Sequence, residues 1–482
     1  MEEGDNGKWG RMKMKKRIII EELKKVGSIA VPMVVVTMLQ YLLQVVSLMM
    51  VGHLGKLSLS SVALATSLTN VSGFGILSGM AGGLETLSGQ AYGAKEYKKF
   101  GTYTYTAIIS LTLVCAPITV IWIFLDKILI LIGQDPTISH QAQKYAIWLI
   151  PSLFGSAILK PLTRFFQTQS LITPMILSSA IVLCFHIVTC WTLVFKLKLG
   201  IVGAAIASSL CTWLNVVLLL CFVKFSSSCE KTRITFSKKA LLGVGLFFRF
   251  AVPAAVMVCL KWWACELFVL LAGLFPNPGL ETSVLSICLT ISTLHFTISY
   301  SIGVATSTRV SNELGAGNTE AVGVAVFASM FLAMTEAVII SATLCSCRNI
   351  LGYAYTKENM IVHYVAVITP LLSLSVFMDS FQAVLSGAAR GGGWQYLGAY
   401  VNLGSFYLVG VPVGVLLGFT AHFRAKGLWI GIVVGSIVQS IFLSLVTALT
   451  NWKKQANMAR DRIFDATYVK ENGTDHASVT NT

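Results

Sequence analysis

Twelve stretches of about 20 residues, each built of aliphatic and aromatic side chains, recur between Ile29 and Leu449. A helix rises about 1.5 Å per residue, so about 20 residues cross the roughly 30 Å hydrocarbon layer of a bilayer. Backbone in that layer has no water to bond, which leaves α-helices or a closed barrel as spanning structures. Barrel strands are about 10 residues of alternating polarity, whereas these runs are longer and apolar throughout. The chain reads as an all-α membrane protein with twelve transmembrane helices.

The first six expected spans are Ile29–Val51, Leu59–Gly83, Tyr103–Leu125, Ala142–Phe165, Leu171–Phe195 and Ile201–Val223. The next six are Phe247–Leu274, Leu280–Val304, Val322–Cys345, Ile361–Ala388, Tyr396–Phe419 and Leu428–Leu449. The net charge of +15 invites a nucleic-acid partner, but no soluble domain remains to hold one. The two tails and the even-numbered loops carry 25 of the 36 lysines and arginines, the odd-numbered loops nine. Basic loops stay on the cytoplasmic side, so both termini are expected there. No cleavable signal peptide is expected before the first span, because the N-terminus is charged, and the polar end KENGTDHASVTNT is expected to be disordered. Eleven cysteines are scattered without CxxC or metal-ligand spacing, so no cofactor and no metal are implied. There is no GxxxxGK[ST], HExxH or GxSxG, which argues against an ATP-driven pump and against a membrane hydrolase.

The chain repeats itself. AVPMVVV with Pro32 returns as AVPAAVM with Pro253, 221 positions on; Gly93-Ala94 returns as Gly315-Ala316 at 222, and Pro151 as Pro370 at 219. An even number of spans per repeat keeps both copies in one orientation, related by a pseudo-two-fold along the membrane normal. The expected divisions are a cytoplasmic tail (1–28), a six-helix lobe (29–223), a basic linker (224–246), a second six-helix lobe (247–450) and a cytoplasmic tail (451–482).

Charges at mid-depth are costly, roughly 2.5–3.5 kcal/mol each on insertion scales, and mark cavities or partners. Asp379 lies deep in the tenth span, where desolvation favours a neutral carboxyl unless a cation stands beside it. That suits a carrier of protons, and an inter-helix structural carboxylate is the alternative. Lys261 and Glu266 share the seventh span. Glu266 is either a second proton-coupling acid or a packing residue; Lys261 either pairs with Asp379 or snorkels away. Counting from the repeated prolines makes Gln40 the counterpart of Lys261, and Lys160 that of Asp379. Gln40, Gln44, Ser47, Lys160 and Lys261 are candidate residues of one substrate cavity, with Lys160 alternatively snorkelling. Trp262 and Tyr300 are candidates for stacking on a flat ligand. Glu85, near the end of the second span, is either solvated or locks the lobes together.

The motifs MMVGHLG, ALATSLTNVSGF, ETLSGQAYGA, LETSVLSICLT, STRVSNELGAGN and NWKKQA, spread between about Ile29 and Ala456, resemble the plant branch of the multidrug and toxic compound extrusion (MATE) transporters. The resemblance implies two six-helix lobes in a V, a central cavity and antiport of organic compounds, in plants usually against protons. It implies no enzyme activity. Implied partners are a small organic substrate, protons and the lipid bilayer, with the protein working as a monomer in a plasma or vacuolar membrane. The family's second-lobe acid matches Asp379. Its CLxWW motif commonly carries glutamate at x, where this chain has Lys261; that departure suggests an anionic or neutral substrate, such as a flavonoid conjugate, with altered coupling. A passive channel is the competing reading.

Overall fold

A computed structural model describes residues 2–233 and 236–475 of the chain. Twelve helices in it are long and apolar enough to cross a membrane. In the first half these are α1 (Lys16–Gly52, the spanning part of a helix that begins at Glu2), α2 (Lys56–Gly93), α3 (Tyr97–Ile123), α4 (Pro136–Thr168), α5 (Thr173–Lys196) and α6 (Gly200–Phe225). In the second half they are α7 (Val244–Ala272), α8 (Pro278–Gly315), α9 (Thr319–Ala354), α10 (Asn359–Gly392), α11 (Gln395–Thr420) and α12 (Arg424–Leu449). A helix α13, Trp452–Asp475, follows. Residues 470–475, expected to open a disordered tail, instead close this helix, and 476–482 lie outside the described residues.

The helices outrun the apolar runs that announced them. The eighth span was expected to end at Val304, yet α8 continues to Gly315. Thr306, Ser307 and Ser311 in that extension are all fully buried. Hydropathy sees their hydroxyls as an end. Thr306 instead returns its proton to the Ile302 carbonyl, 2.8 Å away, one turn back in the same helix. Chain punctuation still acts at the ends: the Asp135 side chain accepts from the Ile138 amide at 3.1 Å to start α4, and Gly393, at φ 84°, ends α10 in a left-handed turn. Prolines sit inside α1, α3, α4, α7 and α10 at Pro32, Pro117, Pro151, Pro161, Pro253 and Pro370. Neighbouring helices add side-chain donors around such prolines; Trp213 Nε1 of α6, for example, donates to the Pro151 carbonyl at 3.0 Å.

Each lobe has its own core. Trp122, Leu77, Leu111 and Leu153 centre the first; Phe268, Leu285 and Trp429 centre the second. The first helix of each repeat packs across to the other lobe. Residues Phe247 and Ala251 of α7 belong to the first core, and α1 meets α8 where Thr37 and Ser301 hydroxyls stand 3.3 Å apart. On the pseudo-axis itself α2 meets α8. A Cβ on Gly93 would overlap the Asn312 carbonyl oxygen, and one on Gly315 would overlap that of Gln90. Gly93 and Gly315 are repeat mates, as are Gln90 and Asn312, so the two halves meet as a two-fold requires. Only glycine allows backbones this close.

Candidate functional site

Lys261 of α7 and Asp379 of α10 form an ion pair and hydrogen bond inside the second lobe. Their side chains are 14% and 6% exposed. Of the two fates open to Lys261, pairing is the one realised. The ammonium also lies 5.5 Å from the centroid of Phe296, a cation–π distance. Trp262 packs edge-on to Phe296 at 5.9 Å, and Tyr300 follows at 6.0 Å. Lys261, Trp262 and Tyr300 line a small cavity of about 50 Å³ with Gln382 and Arg390. Glu266 does not join this group as a direct partner. It is half-buried on α7 and makes no ion pair with Lys261 or Asp379.

Gln40, Gln44, Ser47 and Lys160 come together in a different place, a cavity of about 390 Å³ inside the first lobe. The Ser47 hydroxyl stands 2.8 Å from His186 Nε2, whose other nitrogen meets Cys211 Sγ at 3.3 Å. Asn70 and Tyr145 add polar atoms to the wall. Among the described residues Lys160 is the one lysine or arginine lining this space, and no aspartate or glutamate does. A chamber of this size accepts a molecule of a few rings. Its amides and hydroxyls suit a polar solute, and its charge does not favour a cation.

Between the lobes Glu85 of α2 is the hub of a buried lock. Its carboxylate pairs with Arg164 of α4 at 2.8 Å and with Arg390 of α10 at 2.7 Å, all three side chains being 7% exposed or less. Arg164 also donates to the Tyr300 hydroxyl at 2.6 Å and to Gln167 at 2.7 Å. Tyr300 therefore has its hydroxyl committed across the interface. A second tie, Arg309 of α8 to Glu22 at 2.6 Å and to Glu313, joins the helix of α1 to α8. Charge-assisted pairs of this kind hold geometry strongly once buried.

The MatE family model matches residues 32–192 and again 253–416, beginning at Pro32 and at Pro253, the two ends of the repeat mark. The chain belongs to the MATE family. It is 53% identical over 442 residues to Protein DETOXIFICATION 1 of Arabidopsis thaliana, covering 92% of this chain and 93% of the relative. It is 51% identical over 463 residues to Protein DETOXIFICATION 14 of the same plant, covering 96% of each. The crystal structure of the eukaryotic MATE transporter AtDTX14 superposes with a TM-score of 0.90 at 52% identity, over 93% of this chain and all of that one. A MOP superfamily transporter from Pyrococcus furiosus shares the fold at TM-score 0.80 and 17% identity, over 91% and 97% of the two chains. This MATE chain is thus a multi-pass membrane transporter of the two-lobed, twelve-helix kind.

The sequence reading passed over one more cluster. Glu336 of α9 reaches between α8 and α10, its Oε1 2.9 Å from His295 Nε2 and its Oε2 accepting from Ser380 at 2.7 Å. Ser380 and Ser299 stand 3.1 Å and 3.2 Å from the same imidazole nitrogen. A lone acid inside SMFLAMTEAVII was the signal for it. The cost argument that singled out Asp379 applies equally to Glu336. Arg164 and Arg390 were overlooked for another reason: they lie at the ends of their expected spans, where a basic residue is commonplace, and their shared partner is far away in sequence.

Proposed function

We propose that this MATE transporter exchanges small organic compounds for protons by alternating access, with substrate held in the first-lobe cavity and coupling in the second lobe. The observation that carries this reading is the division of charge between the lobes. The large chamber is lined by amides, hydroxyls and Lys160 without a carboxylate, while the buried carboxylates of the second lobe lie outside it. Neutral or anionic aromatic compounds, such as flavonoid conjugates, fit such a chamber better than organic cations. Asp379, with Lys261 and Glu266, belongs to the coupling side. The Glu85 lock closes one face of the protein and opens when the lobes rock.

Both termini and the 224–246 linker face the cytoplasm in this reading, and the protein works as a monomer in the plasma or vacuolar membrane. The test is uptake of fluorescein and ethidium, one anionic and one cationic aromatic probe, into vesicles with a pH gradient imposed and then collapsed. Accumulation of fluorescein that vanishes with the gradient supports the proposal. Flux that ignores the gradient is what a passive channel gives, and it refutes the exchange.

A further inference from the structure

We propose that His295 and Glu336, with the hydroxyls of Ser299 and Ser380, form the site in the second lobe that takes up and releases the exchanged proton. This rests on the exchange reading above and names the groups that perform it. The cluster draws on three helices: His295 and Ser299 from α8, Glu336 from α9 and Ser380 from α10. The His295 and Glu336 side chains are 3% and 14% exposed, so any charge change there is felt by the packing of all three helices.

The ring geometry decides where a proton goes. Nε2 faces three oxygens, Glu336 Oε1 at 2.9 Å, Ser380 at 3.1 Å and Ser299 at 3.2 Å, and the carboxylate among them favours the tautomer with the first ring proton on that nitrogen. Nδ1 is buried and has no hydrogen-bond partner. A hydronium from the aqueous side gives its proton to the Nδ1 lone pair, forming an N–H bond and leaving water. The cluster then passes from a neutral imidazole beside a carboxylate, net −1, to an imidazolium–carboxylate pair, net zero. Release reverses the same bond. The new N–H has no acceptor in this packing, so loading favours a rearrangement of α8 that finds one. Proton binding is thereby linked to helix movement.

Asp379 is less suited to this step, because its neighbour is an ammonium. Protonating Asp379 would leave Lys261 charged and unpaired at a site where both side chains are buried. Glu336 keeps Ser380 as a donor and the imidazole as a neighbour at either proton count, so the pair gains or loses its proton without losing a partner. Other ionisable groups on the surrounding helices include Cys259, Lys261, Cys265 and Glu266 of α7, Cys288 and Tyr300 of α8, Cys345 of α9, Asp379 and Arg390 of α10 and Tyr41 of α1. Of these Lys261 and Arg390 carry positive charge, held by Asp379 and by Glu85.

The experiment uses the full chain in proteoliposomes, with whichever of fluorescein and ethidium the parent accumulates, and the variants His295→Gln and Glu336→Gln. A one-unit pH gradient coupled to one proton sustains about a tenfold concentration ratio of the probe. Both variants should bring that ratio to about one while still exchanging labelled for unlabelled probe without a gradient, and Glu336→Asp should keep the parent ratio. A purely structural role would impair gradient-free exchange as well, so joint loss of exchange and accumulation overturns the assignment. Retention of the parent ratio by both variants overturns it too. If Glu336→Gln does not reach the membrane folded, His295→Gln, which keeps hydrogen-bonding atoms at the site, decides alone. If the parent accumulates neither probe, the exchange reading fails instead, and the cluster's role with it.

Discussion

Removing one charge of the Lys261–Asp379 pair should cost far more than removing both. Lys261→Met leaves the Asp379 carboxylate, 6% exposed, without its cation; Asp379→Asn leaves the ammonium, 14% exposed, without its anion. Breaking a buried pair from one side costs about 3–5 kcal/mol, whereas replacing both partners with neutral groups of similar size is often close to neutral. As a check, unit charges at about 3 Å and an effective dielectric of about 20 attract by roughly 5 kcal/mol. The double variant Lys261→Met/Asp379→Asn should therefore be more stable than either single, with a coupling of at least about 2 kcal/mol. That coupling is within the range seen for contacting residues. Thermal unfolding of the purified protein and its variants in one detergent gives the order. Gradient-driven uptake gives the functional side, where Asp379→Asn alone should lower accumulation through the unpaired Lys261 ammonium it leaves. If the double variant is destabilised by the sum of the singles, the two groups are not energetically coupled and the argument is wrong.

Three further outcomes follow from the same geometry. Lys160→Gln removes the one lysine or arginine that lines the first-lobe chamber among the described residues, and the ratio of fluorescein to ethidium uptake should fall by about tenfold or more; an unchanged ratio removes Lys160 from charge selection. Glu85→Gln leaves Arg164 and Arg390 facing each other in the closed interface. The locked face should open by about 3–5 kcal/mol of lost pairing, read as a longer spin-label distance between α3 and α13. Ser228→Cys, exposed in the linker beside the buried Cys229, should react with an impermeant thiol reagent from the cytoplasmic side; labelling from the opposite side of intact membranes would invert the topology.

The fold was legible because the bilayer leaves so few solutions. Continuous apolar runs fix helices, and the recurrence of Pro32 and Gly93 as Pro253 and Gly315 reveals the duplication without any knowledge of contacts. The site was legible one residue at a time, as mid-depth charges, but not as partnerships. Lys261 and Asp379 are 118 positions apart, Glu85 and Arg390 305. Nothing in a periodicity says which helix faces turn toward each other. Gln40, Lys160, Lys261 and Trp262 were all read as lining one substrate cavity. The structure separates them into two, because α1 and α7 are related by the pseudo-axis and each builds the cavity of its own lobe.

That separation sets the electrical character of the exchange. The repeat mates Gln40 and Lys261, and Lys160 and Asp379, show that each lobe kept one lysine, but only the second lobe kept a carboxylate to neutralise it. The first-lobe chamber therefore presents an uncompensated cation to its contents. An anionic solute bound there travels with its own charge, while the lysine stays with the protein on both halves of the cycle. One anion moving out of the cytoplasm and one proton moving in transfer two positive charges inward per turnover. Each charge is worth about 2.3 kcal/mol per 100 mV, so a membrane potential of that size adds roughly 4.6 kcal/mol to the drive, and half as much for a neutral solute. Export of fluorescein from proteoliposomes held at equal pH should accelerate when a potassium gradient with valinomycin makes the cytoplasmic side negative. It should slow when the sign is reversed. If transport at equal pH is indifferent to the imposed potential, the solute does not travel as an uncompensated anion, and the reading of Lys160 as the charge that receives it is refuted.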